Sequence, residues 1–93
     1  MASFTVRMVL KGGEWEDYEK LYARMEMKGF TKEVEGSSGQ VYELPDAEYI
    51  YDGSATRDEV FEKAKVAVEG VGLRYSIFIT ESKGRTWCGL EKA

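Results

Sequence analysis

The chain repeats one pattern twice: an alternating strand, a helix ended by glycine, and a second strand. The first copy covers residues 3–35 and the second covers residues 40–80. Apolar residues occupy every second position of the first strand, a two-residue period typical of a strand with one buried face: Phe4, Val6, Met8 and Leu10. The order of elements predicts an α+β, ferredoxin-like βαββαβ fold, in which two helices cover one face of a four-stranded antiparallel sheet.

Helical spacing of apolar residues marks both helices. The first stripe precedes the stop signal Lys28-Gly29 and contains Trp15, Tyr18, Leu21, Tyr22 and Met25. The second helix begins at Thr56-Arg57-Asp58-Glu59, which matches a capping box and predicts reciprocal hydrogen bonds between Thr56 and Glu59. Its apolar stripe contains Val60, Phe61, Ala64, Ala67 and Val68, and a glycine at position 70 or 72 ends it.

The segment between the helices predicts a hairpin and an interrupted strand. Phe30–Glu35 has the composition of a strand, and Gly36-Ser37-Ser38-Gly39 that of a turn leading into residues 40–44. Pro45 has no N–H to donate to a sheet, so the third strand is expected to pause there or to run along an edge. The extended pattern then resumes over residues 47–51.

Length and composition predict one domain, residues 1–93, with a tail over residues 82–93 that folds back through Trp87 and Leu90. No apolar run reaches the roughly 20 residues of a membrane span, and no secretory signal precedes the first strand. These features, with a lone cysteine that cannot form an intramolecular disulfide, predict a cytoplasmic protein without a membrane partner.

Charge and residue types exclude several functions. Thirteen basic and 17 acidic residues give a net charge of −4, so no DNA partner is expected and any nucleic-acid role needs a local basic patch. Histidine is absent, which excludes histidine-based triads and the commonest zinc ligand. Asp46, Glu48 and Asp52 match no calcium-loop spacing, and we interpret them as turn residues, so neither a metal nor a cofactor is expected.

The predicted topology places the first strand between the third and the last, and leaves the sheet face opposite the helices open. Thr5, Arg7 and Val9 are then expected beside Arg74, Ser76, Phe78 and Thr80. Arginines beside an exposed aromatic suit single-stranded RNA, because guanidinium groups hold phosphates and an aromatic ring stacks a base. The alternative is an ordinary solvated face, since open antiparallel sheets carry polar residues outward and neither strand has the signature of an RNA-recognition motif.

A family resemblance spans nearly the whole chain. Its residues include Val6-Arg7-Met8, Asp17-Tyr18, Lys28-Gly29-Phe30, Leu44-Pro45, Ala47-Glu48-Tyr49, Glu59-Val60, Gly84-Arg85-Thr86-Trp87 and Gly89-Leu90. Together they resemble uncharacterised bacterial and prophage proteins grouped with the GhoS-like antitoxins. This resemblance implies a ferredoxin-like endoribonuclease of a type V toxin–antitoxin system, which cleaves the messenger RNA of a small membrane-active toxin.

Two functional hypotheses follow. In the first, the chain acts on single-stranded RNA, with Arg7, Arg24, Arg74 and Phe78 as RNA-binding residues. A carboxylate then replaces histidine as general base, although the sequence does not assign which one, and the catalytic residues stay open. In the second, the chain is a non-catalytic interaction or dimerisation module of bacterial or prophage origin, which forms a homodimer through an edge strand or its open face.

Overall fold

The computed structural model describes residues 2–93, which form two helices and five strands. In chain order these are β1 (Ala2–Leu10), α1 (Trp15–Met27), β2 (Glu33–Glu35), β3 (Val41–Glu43), β4 (Glu48–Gly53), α2 (Arg57–Glu69) and β5 (Tyr75–Glu81). Within this range no helix has the length and apolar character needed to cross a membrane.

The main sheet has three antiparallel strands in the order β4-β1-β5. The long first strand is therefore central, as the sequence pattern predicts. Arg7 lies opposite Glu48 of β4 on one side and opposite Phe78 of β5 on the other. This register determines which side chains share a surface.

The α+β prediction is confirmed, with two helices and antiparallel strands, but the strands form a three-stranded and a two-stranded sheet and not one clear sheet of four. The predicted second and third strands instead form a separate hairpin, β2–β3. Pro45 is the reason: it divides the third strand into β3, which pairs with β2, and β4, which pairs with β1. Thr31 and Ile50 exchange two backbone hydrogen bonds of 2.9 and 2.8 Å, which connect the segment before the hairpin to the main sheet.

The core lies between the sheet and both helices. One cluster of buried side chains unites the inward residues of β1 with Leu21 and Met25 of α1 and with four residues of the α2 stripe: Val60, Ala64, Ala67 and Val68. Both helices consequently cover the same sheet face, because only alternate β1 residues point toward them. The fifth residue of the α2 stripe, Phe61, is 38% exposed. Trp15, which the helical stripe included, is 65% exposed and lines a surface cavity of about 180 Å³ with Tyr18 and Tyr22.

The predicted capping box at the start of α2 is confirmed. The Glu59 N–H donates to Thr56 Oγ1 at 3.1 Å, and the Thr56 N–H donates to Glu59 Oε1 at 2.8 Å. The bonds from Thr56 lower the pKa of the Glu59 carboxyl, since they favour its charged form. α1 ends before Gly29, whose φ of +93° is a left-handed conformation that glycine adopts without strain.

We expect Thr56→Ala to lower the free energy of unfolding by about 1 kcal/mol, because the first-turn amides lose their acceptor. Urea denaturation at neutral pH measures this loss, with Thr56→Ser as the matched variant that keeps the hydroxyl. Because the pKa of Glu59 is lower in the folded state, its carboxylate adds to the free energy of unfolding at pH values above the pKa of the unfolded chain. This added stability disappears as the pH falls through the folded-state pKa. Equal destabilisation by alanine and serine would contradict the role of the cap.

Candidate nucleic-acid interface

The sheet face opposite the helices carries three basic residues, one on β1 and two just beyond the ends of β1 and β5. Strand alternation places Arg7 on this face beside Phe78, its direct partner on β5. The ladder continues beyond the strand ends, because the Lys11 N–H donates to the Arg74 carbonyl at 2.8 Å. Lys11 and Arg74 therefore extend the same face, and we call these four residues the basic strip: Arg7, Lys11, Arg74 and Phe78.

The basic strip contrasts with the acidic character of the whole chain. The outward positions of β1 and β5, together with their ladder extensions, are residues 3, 5, 7, 9 and 11 and residues 74, 76, 78, 80 and 82, and they contain no carboxylate. The acidic residues concentrate instead on the helices and the hairpin, while the chain as a whole has a net charge of −4. This half of the sheet thus provides the local basic patch that a nucleic-acid role requires.

Phe78 gives the basic strip an aromatic surface. Its side chain is 70% exposed, whereas the inward residues of β5 are partly covered by the helical layer. An exposed phenyl ring costs solvation free energy, and it offers a flat face on which an unpaired base stacks. Arg7, directly opposite Phe78, and Arg74, four residues before it, are both exposed, so one surface carries two guanidinium groups and an accessible ring.

Arg24 lies elsewhere, so the structure does not bring together the three arginines singled out in the sequence. Its Nε donates to the Ala67 carbonyl at 2.7 Å, near the C-terminal end of α2. That helix has no basic residue in its own last turn, and the guanidinium supplies the missing donor to its terminal carbonyls. A Cβ atom at Gly70 would lie 2.0 Å from this guanidinium, which shows how closely Arg24 packs against the helix end.

The C-terminal tail covers the other half of the same face. Its residues continue from β5 and then pair with β3, through hydrogen bonds from Glu43 N–H to the Glu91 carbonyl at 2.8 Å and from Ala93 N–H to the Val41 carbonyl at 3.0 Å. Ile50 points to this side of the sheet and is only 3% exposed, since the tail and the hairpin lie over it. The expectation of a fully open face is therefore corrected: the tail reaches as far as Thr5, and the exposed part of the face lies around Arg7, Arg74 and Phe78.

A cleft with an arginine at its centre lies between the hairpin and the tail. Two adjoining cavities of about 460 and 310 Å³ share Val34, Arg85, Thr86 and Trp87 in their walls. Arg85 Nε donates to Thr5 Oγ1 at 2.8 Å, while its Nη2 is buried without a hydrogen-bond partner among residues 2–93. A buried guanidinium nitrogen without an acceptor is costly, so an oxygen that reached it would gain a charge-assisted hydrogen bond. Trp87 packs edge-on against Tyr42, with 5.9 Å between ring centroids.

Glu48 connects the cleft to the basic strip. It lines the smaller cavity with Arg85 and lies opposite Arg7 in the β1–β4 ladder. Because the neighbouring Met8 N–H donates to the Ala47 carbonyl, Arg7 and Glu48 form a non-hydrogen-bonded pair, in which opposite side chains are closest. Within the described residues the one ion pair is Lys32–Asp46 at 2.6 Å, so the Glu48 carboxylate is not neutralised by direct contact with Arg7.

Sequence reasoning did not select Arg85 or Glu48 as candidate site residues. Residues 82–93 have no periodicity that predicts what they cover, and Thr5 and Arg85 are 80 positions apart. Arg85 and Glu48 both lie in segments that contributed to the family resemblance, Gly84-Arg85-Thr86-Trp87 and Ala47-Glu48-Tyr49, and Glu48 was interpreted as a turn residue. Alternation in β1 and β5, by contrast, was enough to place Arg7 and Phe78 on one face.

Comparisons with protein-family models and with curated protein sequences give no match for this chain. The functional interpretation of the basic strip and the cleft therefore depends on the residues and on their geometry.

Proposed function

We propose that this protein binds single-stranded RNA across the basic strip, with an adjacent phosphate entering the cleft at Arg85. The observation that carries this proposal is the exposed, carboxylate-free half-sheet with Arg7, Arg74 and Phe78 on an otherwise acidic protein. Cations there bind the backbone, and the phenyl ring stacks a base. Phosphate binding is possible with any nucleic acid, but stacking requires a base that is not paired in a duplex.

The geometry of the basic strip suits a single-stranded nucleic acid better than a double helix. Arg7 lies opposite Phe78, and Arg74 is four residues from Phe78 along β5, or roughly 13 Å at the rise of a strand. The surface is one half of a sheet bordered by the tail, and it has no protruding helix to enter a major groove. An extended RNA strand can follow β5 and then turn toward Arg85.

We further propose that the bound RNA is cleaved, as the resemblance to GhoS-like antitoxins suggests, with the messenger RNA of a small membrane-active toxin as the target. In this mechanism Glu48 removes the proton of a 2′-hydroxyl, and the 2′-oxygen attacks the adjacent phosphorus. The bond from phosphorus to the 5′-oxygen breaks, and that oxygen takes a proton from solvent. Arg7 and Arg85 stabilise the negative charge of the pentacoordinate phosphorus. The products are a 2′,3′-cyclic phosphate and a 5′-hydroxyl.

The fold is consistent with this proposal. We interpret the three-stranded sheet and the hairpin as a ferredoxin-like arrangement whose third strand is divided at Pro45. The division leaves Glu48 as the first residue of β4, at the mouth of the cleft. A continuous third strand would have extended the main sheet through this position.

The binding proposal is tested with the double variant Arg7→Ala/Arg74→Ala and a labelled single-stranded oligoribonucleotide. We expect the affinity to fall at least about tenfold, and the slope of log K against log salt to decrease by roughly 0.7 for each lost phosphate contact. Fluorescence anisotropy across a salt series measures both quantities.

The matched control is Lys20→Ala/Arg57→Ala, which removes the same charge from exposed positions on the two helices. It should leave both the affinity and the salt slope close to those of the natural chain. Equal losses in the two double variants would mean that net charge, and not the basic strip, governs binding, and the proposal would then be wrong.

A further inference from the structure

The last strand, β5, is an unprotected sheet edge. It is the outer strand of the order β4-β1-β5, and no described residue pairs with its free side. Its seven residues, Tyr75–Glu81, include no proline and no lysine. Natural edge strands commonly carry such residues, or a bulge, to prevent pairing with another chain. The single charged residue of β5, Glu81, lies at its end, and a largely exposed phenylalanine lies at its centre.

The hydrogen bonds between β1 and β5 show which backbone groups of β5 point to the free edge of the sheet. Arg74 accepts from the Lys11 N–H, and the Ser82 N–H donates to the Ser3 carbonyl, both at 2.8 Å. Even-numbered residues of this strand therefore direct their N–H and C=O groups toward β1. The odd-numbered residues direct theirs to the free edge: Tyr75, Ile77, Ile79 and Glu81.

We propose that two copies of this chain pair through β5, antiparallel, with the two-fold axis at Phe78. In this register each outward residue meets an outward residue of the second copy and exchanges two hydrogen bonds with it. Ile77 pairs with the second copy's Ile79, and Tyr75 pairs with the second copy's Glu81. The two three-stranded sheets become one continuous sheet of six strands.

Side-chain chemistry selects this register over its neighbours. A shift of one residue would exchange the two faces of the strand, placing apolar residues opposite polar ones. A register centred on Ile77 or Ile79 would pair only three of the four outward residues. With the axis at Phe78, Ile77 and Ile79 cover each other on the helix side, and no like charges meet.

The outer face of the paired strands is equally self-complementary. Phe78 meets the second copy's Phe78 in a non-hydrogen-bonded pair, where the Cα atoms approach to about 4.5 Å. Ser76 meets the second copy's Thr80. Pairing leaves Arg7 and Arg74 exposed, because these side chains project from the face and not from the edge. The two arginines therefore stay accessible in the paired form, while Phe78 is shared between the pairing axis and the basic strip.

Sedimentation of the RNA-free natural chain is the first test, and we expect a mass that rises from one copy to two with increasing concentration. Cysteine cross-linking then tests the register, in a background where the exposed Cys88 is replaced by serine. Phe78→Cys is expected to form a disulfide-linked dimer under mild oxidation, since its Cα separation at the axis suits a disulfide.

Ser76→Cys is the matched control, because residue 76 lies on the same face of the sheet as Phe78. It stands opposite the second copy's Thr80, so the two introduced thiols are far apart. If sedimentation gives the mass of one copy at about 1 mM protein, the proposal is overturned, because a dimer with a weaker dissociation constant than that is negligible. Equal cross-linking at positions 76 and 78 would overturn the register. Neither result would alter the RNA-binding proposal, which the arginine variants test separately.

Discussion

Replacing Glu48 with glutamine is expected to slow RNA cleavage by roughly 10²–10⁴-fold, the usual contribution of a general base. Glutamine keeps the shape of the side chain but cannot accept a proton from the 2′-hydroxyl. RNA affinity should change little, because Arg7, Arg74 and Phe78 remain on the exposed half-sheet. Initial rates on a single-stranded substrate measure the first effect, and anisotropy measures the second.

Asp52→Asn is the matched control for this experiment. Asp52 lies on the same strand and the same face as Glu48, opposite Ser3, but it does not line the cleft. The variant loses the same charge and should cleave at the natural rate. If Glu48→Gln and Asp52→Asn cleave equally fast, the assigned base is wrong. Absence of the cyclic phosphate product from the natural chain would remove the cleavage proposal and leave RNA binding to its own test.

The largest expected effect on stability comes from Phe30→Ala, which should lower the free energy of unfolding by about 3–5 kcal/mol. Phe30 is 2% exposed and packs against Tyr51, with 5.1 Å between ring centroids. Its removal leaves a cavity between the end of α1 and the sheet. A domain of this size has a total stability on the order of 5–14 kcal/mol, so a large part of it would be lost.

Phe78→Ala is the matched comparison, since it makes the same substitution at a side chain that is 70% exposed. We expect a change within about 0.5 kcal/mol in dilute protein, because little buried area is lost. RNA affinity should nevertheless fall by roughly 1–3 kcal/mol if one base stacks on the ring. Denaturant unfolding and anisotropy together separate the two roles, and similar destabilisation by both variants would contradict the assignment of Phe78 to a surface.

The sequence alone determined those features that depend on neighbouring residues. Alternation in β1 identified the buried face that carries Phe4 and Met8, and therefore also the opposite face that carries Arg7. The capping box at Thr56 and Glu59 located the start of α2, because its hydrogen bonds join residues three positions apart. Both features are local, so the pattern of side chains is sufficient to predict them.

The tertiary structure decided how distant segments meet. Pro45 predicted an interruption, but only the fold showed that the two parts of the third strand join different sheets. Arg24 satisfied the pattern of an RNA-binding cation, yet it binds the Ala67 carbonyl, 43 positions away. The tail brought Arg85 to Thr5 and closed half of the open face. Such contacts depend on the packing of the whole chain, and no local periodicity of the sequence predicts them.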